Sequence, residues 1–202
     1  MPTKTICFNS NFKTRAEPSG SSDKKFIEGY FVVYESETQL FPKWYETVAK
    51  GAGDNAVKDN DIRCLFNHNR DIVLGRKDNG TLQLKSDNVG VWGCVEINQN
   101  DRQAMDIYER VKRGDINTCS FGFNDSSKET YTYEYSDDGT IVHCRIEVAD
   151  IIEISICPFP AYEDTEISAR SAYAEANQTN SLKVRKACLK NRLEAIKNAK
   201  TN

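Results

Sequence analysis

The sequence predicts a mainly β domain of the α+β class, a largely antiparallel arrangement of strands with helices packed outside it. Three observations carry this expectation. Six or more segments are rich in β-branched and aromatic residues and are bounded by turn residues. One internal segment has a clear helical period. At 202 residues the chain can bury one sizeable core, with length left over for a tail.

The elements follow in order. Arg15 to Lys25 is polar, with Pro, Gly and Ser, so residues 1–24 read as a flexible lead-in. Phe26–Tyr34 (FIEGYFVVY) has strand composition. Pro42 and Gly51 are placed as the first residue and the terminator of a short helix. Ile62–His68 reads as a strand, which would put His68 on one face with Cys64 and Phe66. Asn79-Gly80 signals a tight turn before Leu82 and Leu84, and Val89–Ile97 is a further strand. From Asp101 to Arg113, Ala104, Ile107, Tyr108 and Val111 fall on one helical face, and Gly114 is placed to end the helix. Strands follow at Thr118–Phe123, Thr130–Tyr135, Thr140–Val148 (after an Asp138-Gly139 turn) and Ile151–Cys157.

Beyond Pro158 and Pro160 the chain turns polar. Residues 168–180 read as a linker, and 181–202 as a basic helical tail with Leu182, Leu189 and Ile196 at seven-residue spacing. That tail carries seven basic residues against one acid, Glu194, so the rest of the chain is strongly acidic under a net charge of −3. A scaffold-docking segment and a solvated helix both fit it. Nucleic-acid binding is disfavoured, because one short basic helix lacks aromatic partners.

Several function classes are excluded by composition. No apolar run approaches the ~20 residues of a membrane span, and the N-terminus lacks a signal-peptide core. The seven cysteines are scattered without a Cys-x-x-Cys, which fits reduced thiols better than a disulfide framework. With only two histidines and no tight ligand pairs, neither a metal nor another cofactor is expected.

Three kinds of side chain suggest chemistry: histidine, serine and glutamate. His68, in C-L-F-N-H-N, and His143 are the candidate general bases. In T-C-S-F-G-F, strand alternation sends Cys119, Phe121 and Phe123 to one face and Ser120 with Gly122 to the other. In D-I-I-E-I-S-I-C, Ile152, Ile154 and Ile156 form the core face, while Glu153 and Ser155 point away. Singly, each has an ordinary explanation: a partly buried histidine, a serine on a solvated sheet, an exposed carboxylate. Together they supply a nucleophile, a base and a group that orients the base. Cys119 as an alternative nucleophile is disfavoured by its alternation into the core.

The segments F-I-E-G-Y-F-V-V-Y, C-L-F-N-H-N-R-D-I-V-L-G-R, D-N-V-G-V-W-G-C-V, Y-E-R-V-K-R-G-D-I-N-T-C-S-F-G-F and D-I-I-E-I-S-I-C-P-F-P-A-Y resemble, in order and spacing, the tailed-phage prohead (capsid maturation) proteases, relatives of the herpesvirus assemblins. The similarity spans residues 25–167, the protease domain it implies. It implies a closed antiparallel β-barrel of the herpesvirus-protease type surrounded by helices. The implied catalytic residues are Ser120, His68 and, in preference to His143, Glu153. Also implied are major capsid protein and scaffold segments as substrates, self-cleavage, a homo-oligomer, and a location in the host cytoplasm inside the assembling prohead. A binding or scaffolding module with the same barrel is the alternative. Two departures stand out: C-P-F-P replaces the assemblin arginine pair, and Asn69 stands where many phage relatives have aspartate.

Overall fold

The computed structural model describes residues 3–9, 12–16, 24–124 and 131–159. The expected linker and basic tail lie outside the described residues. Within the expected lead-in are two strands, β1 (Thr3–Asn9) and β2 (Lys13–Ala16). The chain continues through β3 (Lys25–Val33), β4 (Thr38–Phe41), β5 (Trp44–Val48), α1 (Asp54–Asp59), β6 (Arg63–Phe66), β7 (Asn69–Arg76), β8 (Leu82–Ser86) and β9 (Gly90–Ile97). Then come α2 (Arg102–Arg113), β10 (Thr118–Asn124), β11 (Tyr131–Tyr135), β12 (Val142–Ile146) and β13 (Asp150–Cys157).

These strands make three open sheets, ordered β1-β10-β13-β6-β7, β11-β12-β5-β4 and β2-β3-β9-β8. The expectation of a closed antiparallel barrel is therefore corrected. A barrel needs every strand to be hydrogen-bonded on both sides. Among the described residues, β1, β7, β11, β4, β2 and β8 each have a single ladder partner. The pairing is also mixed, since β6–β13 and β5–β12 run parallel. Nor do helices surround the domain: α1 packs against β13 and β8, and α2 against β2 and β9.

The helix expected from Pro42 to Gly51 is also corrected. Trp44 and Val48, both buried, are four apart, a spacing that fits one helix face or one strand face equally. The composition W-Y-E-T-V favours the strand. Pro42-Lys43 turns β4 into β5, with Lys43 at φ 69°. By contrast, α2 forms as expected. Asp101 caps its first turn, accepting from the N–H groups of Gln103 (2.9 Å) and Ala104 (3.2 Å). Gly114, at φ 88°, ends it in the left-handed conformation that glycine adopts without a Cβ penalty. Its buried face is Ala104, Ile107, Tyr108 and Val111.

One core joins the sheets, with Ile27, Phe31, Val95, Phe121, Phe123, Ile151, Ile154 and Ile156 buried in it. A smaller cluster of Trp44, Val142 and Cys144 sits in the β11-β12-β5-β4 sheet. Cys64, Cys94, Cys119, Cys144 and Cys157 are buried thiols. Among the described residues no helix is long and apolar enough to cross a membrane.

Candidate active site

The site is built across three neighbouring strands, β10, β13 and β6. Strand β10 alternates as its sequence requires. Phe121 and Phe123 are buried and stacked with centroids 5.5 Å apart, on the core side. Cys119 joins them, its thiol donating to the Tyr30 carbonyl at 3.4 Å, away from the face of Ser120.

In the antiparallel β10–β13 ladder, Thr118 is paired with Cys157, Ser120 with Ser155, and Gly122 with Glu153. Directly opposed residues project from the same side of a sheet, with Cβ atoms about 4.5–5.5 Å apart. Ser120, Ser155 and Glu153 therefore share one face, and all three are buried. Past Gly122 the register slips, so that Phe123 pairs with Ile151. This bulge puts Ile151 into the core and leaves Ile152 only half-buried, correcting the expected Ile152, Ile154 and Ile156 stripe. Gly122 leaves the space for this carboxylate: a Cβ on it would overlap Glu153 Oε1. The carboxylate lies over the glycine.

His68 comes from a tight turn rather than from a strand face with Cys64 and Phe66. Strand β6 ends at Phe66, which pairs with Asn69 of β7 across the two-residue turn Asn67-His68. Both turn residues have positive φ, 51° and 56°, as the hairpin-favoured turn demands. Asparagine and histidine are among the residues that tolerate this region best. The turn is fastened to β13 by two bonds. Asn67 N–H donates to the Ile156 carbonyl at 2.9 Å, and His68 N–H donates to Ser155 Oγ at 3.2 Å. Asn69 Oδ1 accepts from Asp71 N–H at 2.9 Å, a bond that an aspartate there would make equally.

So held, the imidazole meets the carboxylate: His68 Nδ1 lies 2.7 Å from Glu153 Oε1. The other carboxylate oxygen, Oε2, accepts from the Ser155 hydroxyl at 2.7 Å. With Glu153 ionised, Nδ1 carries the proton and Nε2 is left as the basic nitrogen. Cys157 Sγ lies 3.9 Å from that Nε2. Nearby Cys64 is fully buried, and burial, then the Glu153 charge, pushes its thiol pKa far above the ordinary value. That thiol stays protonated and inert.

The structure thus brings His68 and Glu153 into contact and sets Ser120 on the same face, opposite Ser155. His143 is elsewhere. It sits on β12, stacks on Tyr45 (centroids 5.1 Å, 13° between planes) and pairs through Nδ1 with Glu37 at 2.6 Å. Two residues at the site were not assigned a part from sequence, Ser155 and Cys157. The signal available was the two-residue period of β13, which carries Glu153, Ser155 and Cys157 on one side. Just beyond Cys157, Phe159 is 77% exposed.

A histidine bonded to a carboxylate, on a sheet face that also carries a buried serine, supplies the residue types of nucleophilic acyl transfer. The model of the caudovirus prohead serine proteases matches residues 10–180. No curated protein sequence matches the chain. Among solved structures, the capsid assembly protease gp21 of bacteriophage T4 is similar, with a TM-score of 0.49 at 10% identity, over 77% of this chain and 96% of that one. The family match covers most of the sequence, and the chain belongs to the caudovirus prohead serine proteases.

Proposed function

We propose that this protease works through Ser120 as nucleophile, His68 as general base and Glu153 as the group that orients the base, cleaving capsid and scaffold segments and its own termini. The observation that carries the reading is the 2.7 Å His68–Glu153 bond on the sheet face where Ser120 stands opposite Ser155. Nε2 of His68 takes the hydroxyl proton as Ser120 Oγ attacks a peptide carbonyl. The tetrahedral intermediate collapses, the leaving amine takes that proton, and an acyl-enzyme remains. Water, deprotonated by the same nitrogen, then releases the acid and restores the hydroxyl. Glu153 stabilises the imidazolium formed in each step without itself taking a proton. Backbone N–H groups near the nucleophile would hold the oxyanion, each such donor typically contributing about 10²–10³ in rate.

The setting that fits this activity is the assembling prohead in the host cell, with capsid protein as substrate and self-association of the protease. The test is co-expression with the capsid protein followed by mass spectrometry of both chains. Discrete cleavage products are expected from the parent and none from Ser120→Ala, whose fold should be intact by thermal melting. Identical products from Ser120→Ala would overturn the assignment.

A further inference from the structure

Ser155 is fully buried, and its hydroxyl is used in both directions. It donates to Glu153 Oε2 at 2.7 Å, and its oxygen accepts from the backbone N–H of His68 at 3.2 Å. Glu153 Oε1 in turn meets His68 Nδ1 at 2.7 Å. The three bonds close a ring that leaves the main chain of His68, passes through Ser155 and Glu153, and returns to the His68 imidazole. We propose that Ser155 is a positioning residue, locking the Glu153 carboxylate and the His68 ring in one relative orientation. The inference rests on the roles proposed above for His68 and Glu153.

Three physical arguments support it. A carboxylate held by one oxygen can swing about its terminal torsion, where the rotamer wells are broad. Held by both oxygens, with Gly122 beneath it, Glu153 has one place to be. The backbone of His68 is in the left-handed region at φ 56°, a conformation that persists only where the surroundings over-determine it. Ser155 holds the His68 N–H itself, and the Ile156 carbonyl holds the N–H of the neighbouring Asn67. Finally, the position demands both a donor and an acceptor in a small volume opposite Ser120, which a hydroxyl provides and an alanine does not.

A positioning role makes a prediction that a merely structural one does not. With a capsid-derived peptide, Ser155→Ala should lower kcat by about 10- to 100-fold at unchanged KM, the scale of a misplaced catalytic group. Added to Glu153→Gln, the same change should cost less than about threefold, because the carboxylate it serves is gone. A kcat within about twofold of the parent, or equal losses in both backgrounds, overturns the proposal. A second measurement needs no activity. In Ser120→Ala protein the His68 Nδ1–H proton should give a far-downfield, slowly exchanging NMR resonance. That signal should vanish in Ser155→Ala and in the near-isosteric Ser155→Cys, which also covers the case in which the alanine variant does not fold. Its persistence unchanged, or its absence with Ser155 in place, overturns the proposal. If the parent cleaves nothing, the proposed function falls while the resonance still decides Ser155.

Discussion

The molecule contains two histidine–carboxylate pairs that look alike in isolation. His68 and Glu153 meet through Nδ1 at 2.7 Å, and His143 and Glu37 through Nδ1 at 2.6 Å. Their surroundings differ. The first pair has side chains 24% and 11% exposed and is joined by the hydroxyl of Ser155. The second is 44% and 48% exposed, and its ring stacks on Tyr45. Water screens the exposed pair and solvates both its members, so little is gained by their meeting. The buried pair is less exposed to competing water, and its second carboxylate oxygen is already bonded. Distance alone therefore does not make a site. The difference lies in what fixes each partner and in whether a nucleophile shares the face.

The sharpest way to break this comparison is to delete each histidine. His68→Ala should lower kcat/KM by about 10⁴, the scale of a lost general base. His143→Ala should leave it within about twofold, and a reversed order in peptide cleavage would exchange the two pairs' roles. The carboxylates sharpen it next. Glu153→Gln keeps the shape but loses the charge that orients the ring, and should cost about 10³ in kcat. Glu37→Gln should leave kcat unaltered. Smaller still is Gly122→Ala, whose added methyl must displace the Glu153 carboxylate. Overpacking of this kind should destabilise by about 1–3 kcal/mol, and the lost activity should exceed what the melting shift accounts for. A variant with full activity would show that Glu153 need not lie over the glycine. The smallest effect is thermal: Glu37→Gln should change stability by less than about 1 kcal/mol, as exposed ion pairs do.

Local rules made parts of the molecule legible from sequence. Helix α2 declared itself through its period and its terminal Gly114, both within one stretch. The alternation of β10 was equally local, and it separated Ser120 from Cys119 correctly. Glu153 and Ser155 were placed on one side of β13 by the same period. What failed was non-local or conformationally rare. Open sheets and parallel pairs depend on which distant strands meet, and β6 with β13 leaves no trace in either segment's own pattern. The resemblance to the prohead proteases supplied the closed barrel, and the ladders among the described residues do not close it. Two consecutive positive-φ residues without glycine hid the Asn67-His68 turn, so His68 was assigned to a strand face. The slip in register at Gly122 shifted Ile151 into the core by one residue, which alternation from sequence cannot anticipate. Trp44 and Val48, four apart, fit both periods, and composition rather than spacing was the better guide there.

The most direct test of the central claim is covalent labelling with a fluorophosphonate, mapped to the modified residue by peptide mass spectrometry. The account predicts a single adduct on Ser120 that is lost in His68→Ala and unaffected in His143→Ala. An adduct on any other residue, or labelling of Ser120 that survives the removal of His68, would contradict it.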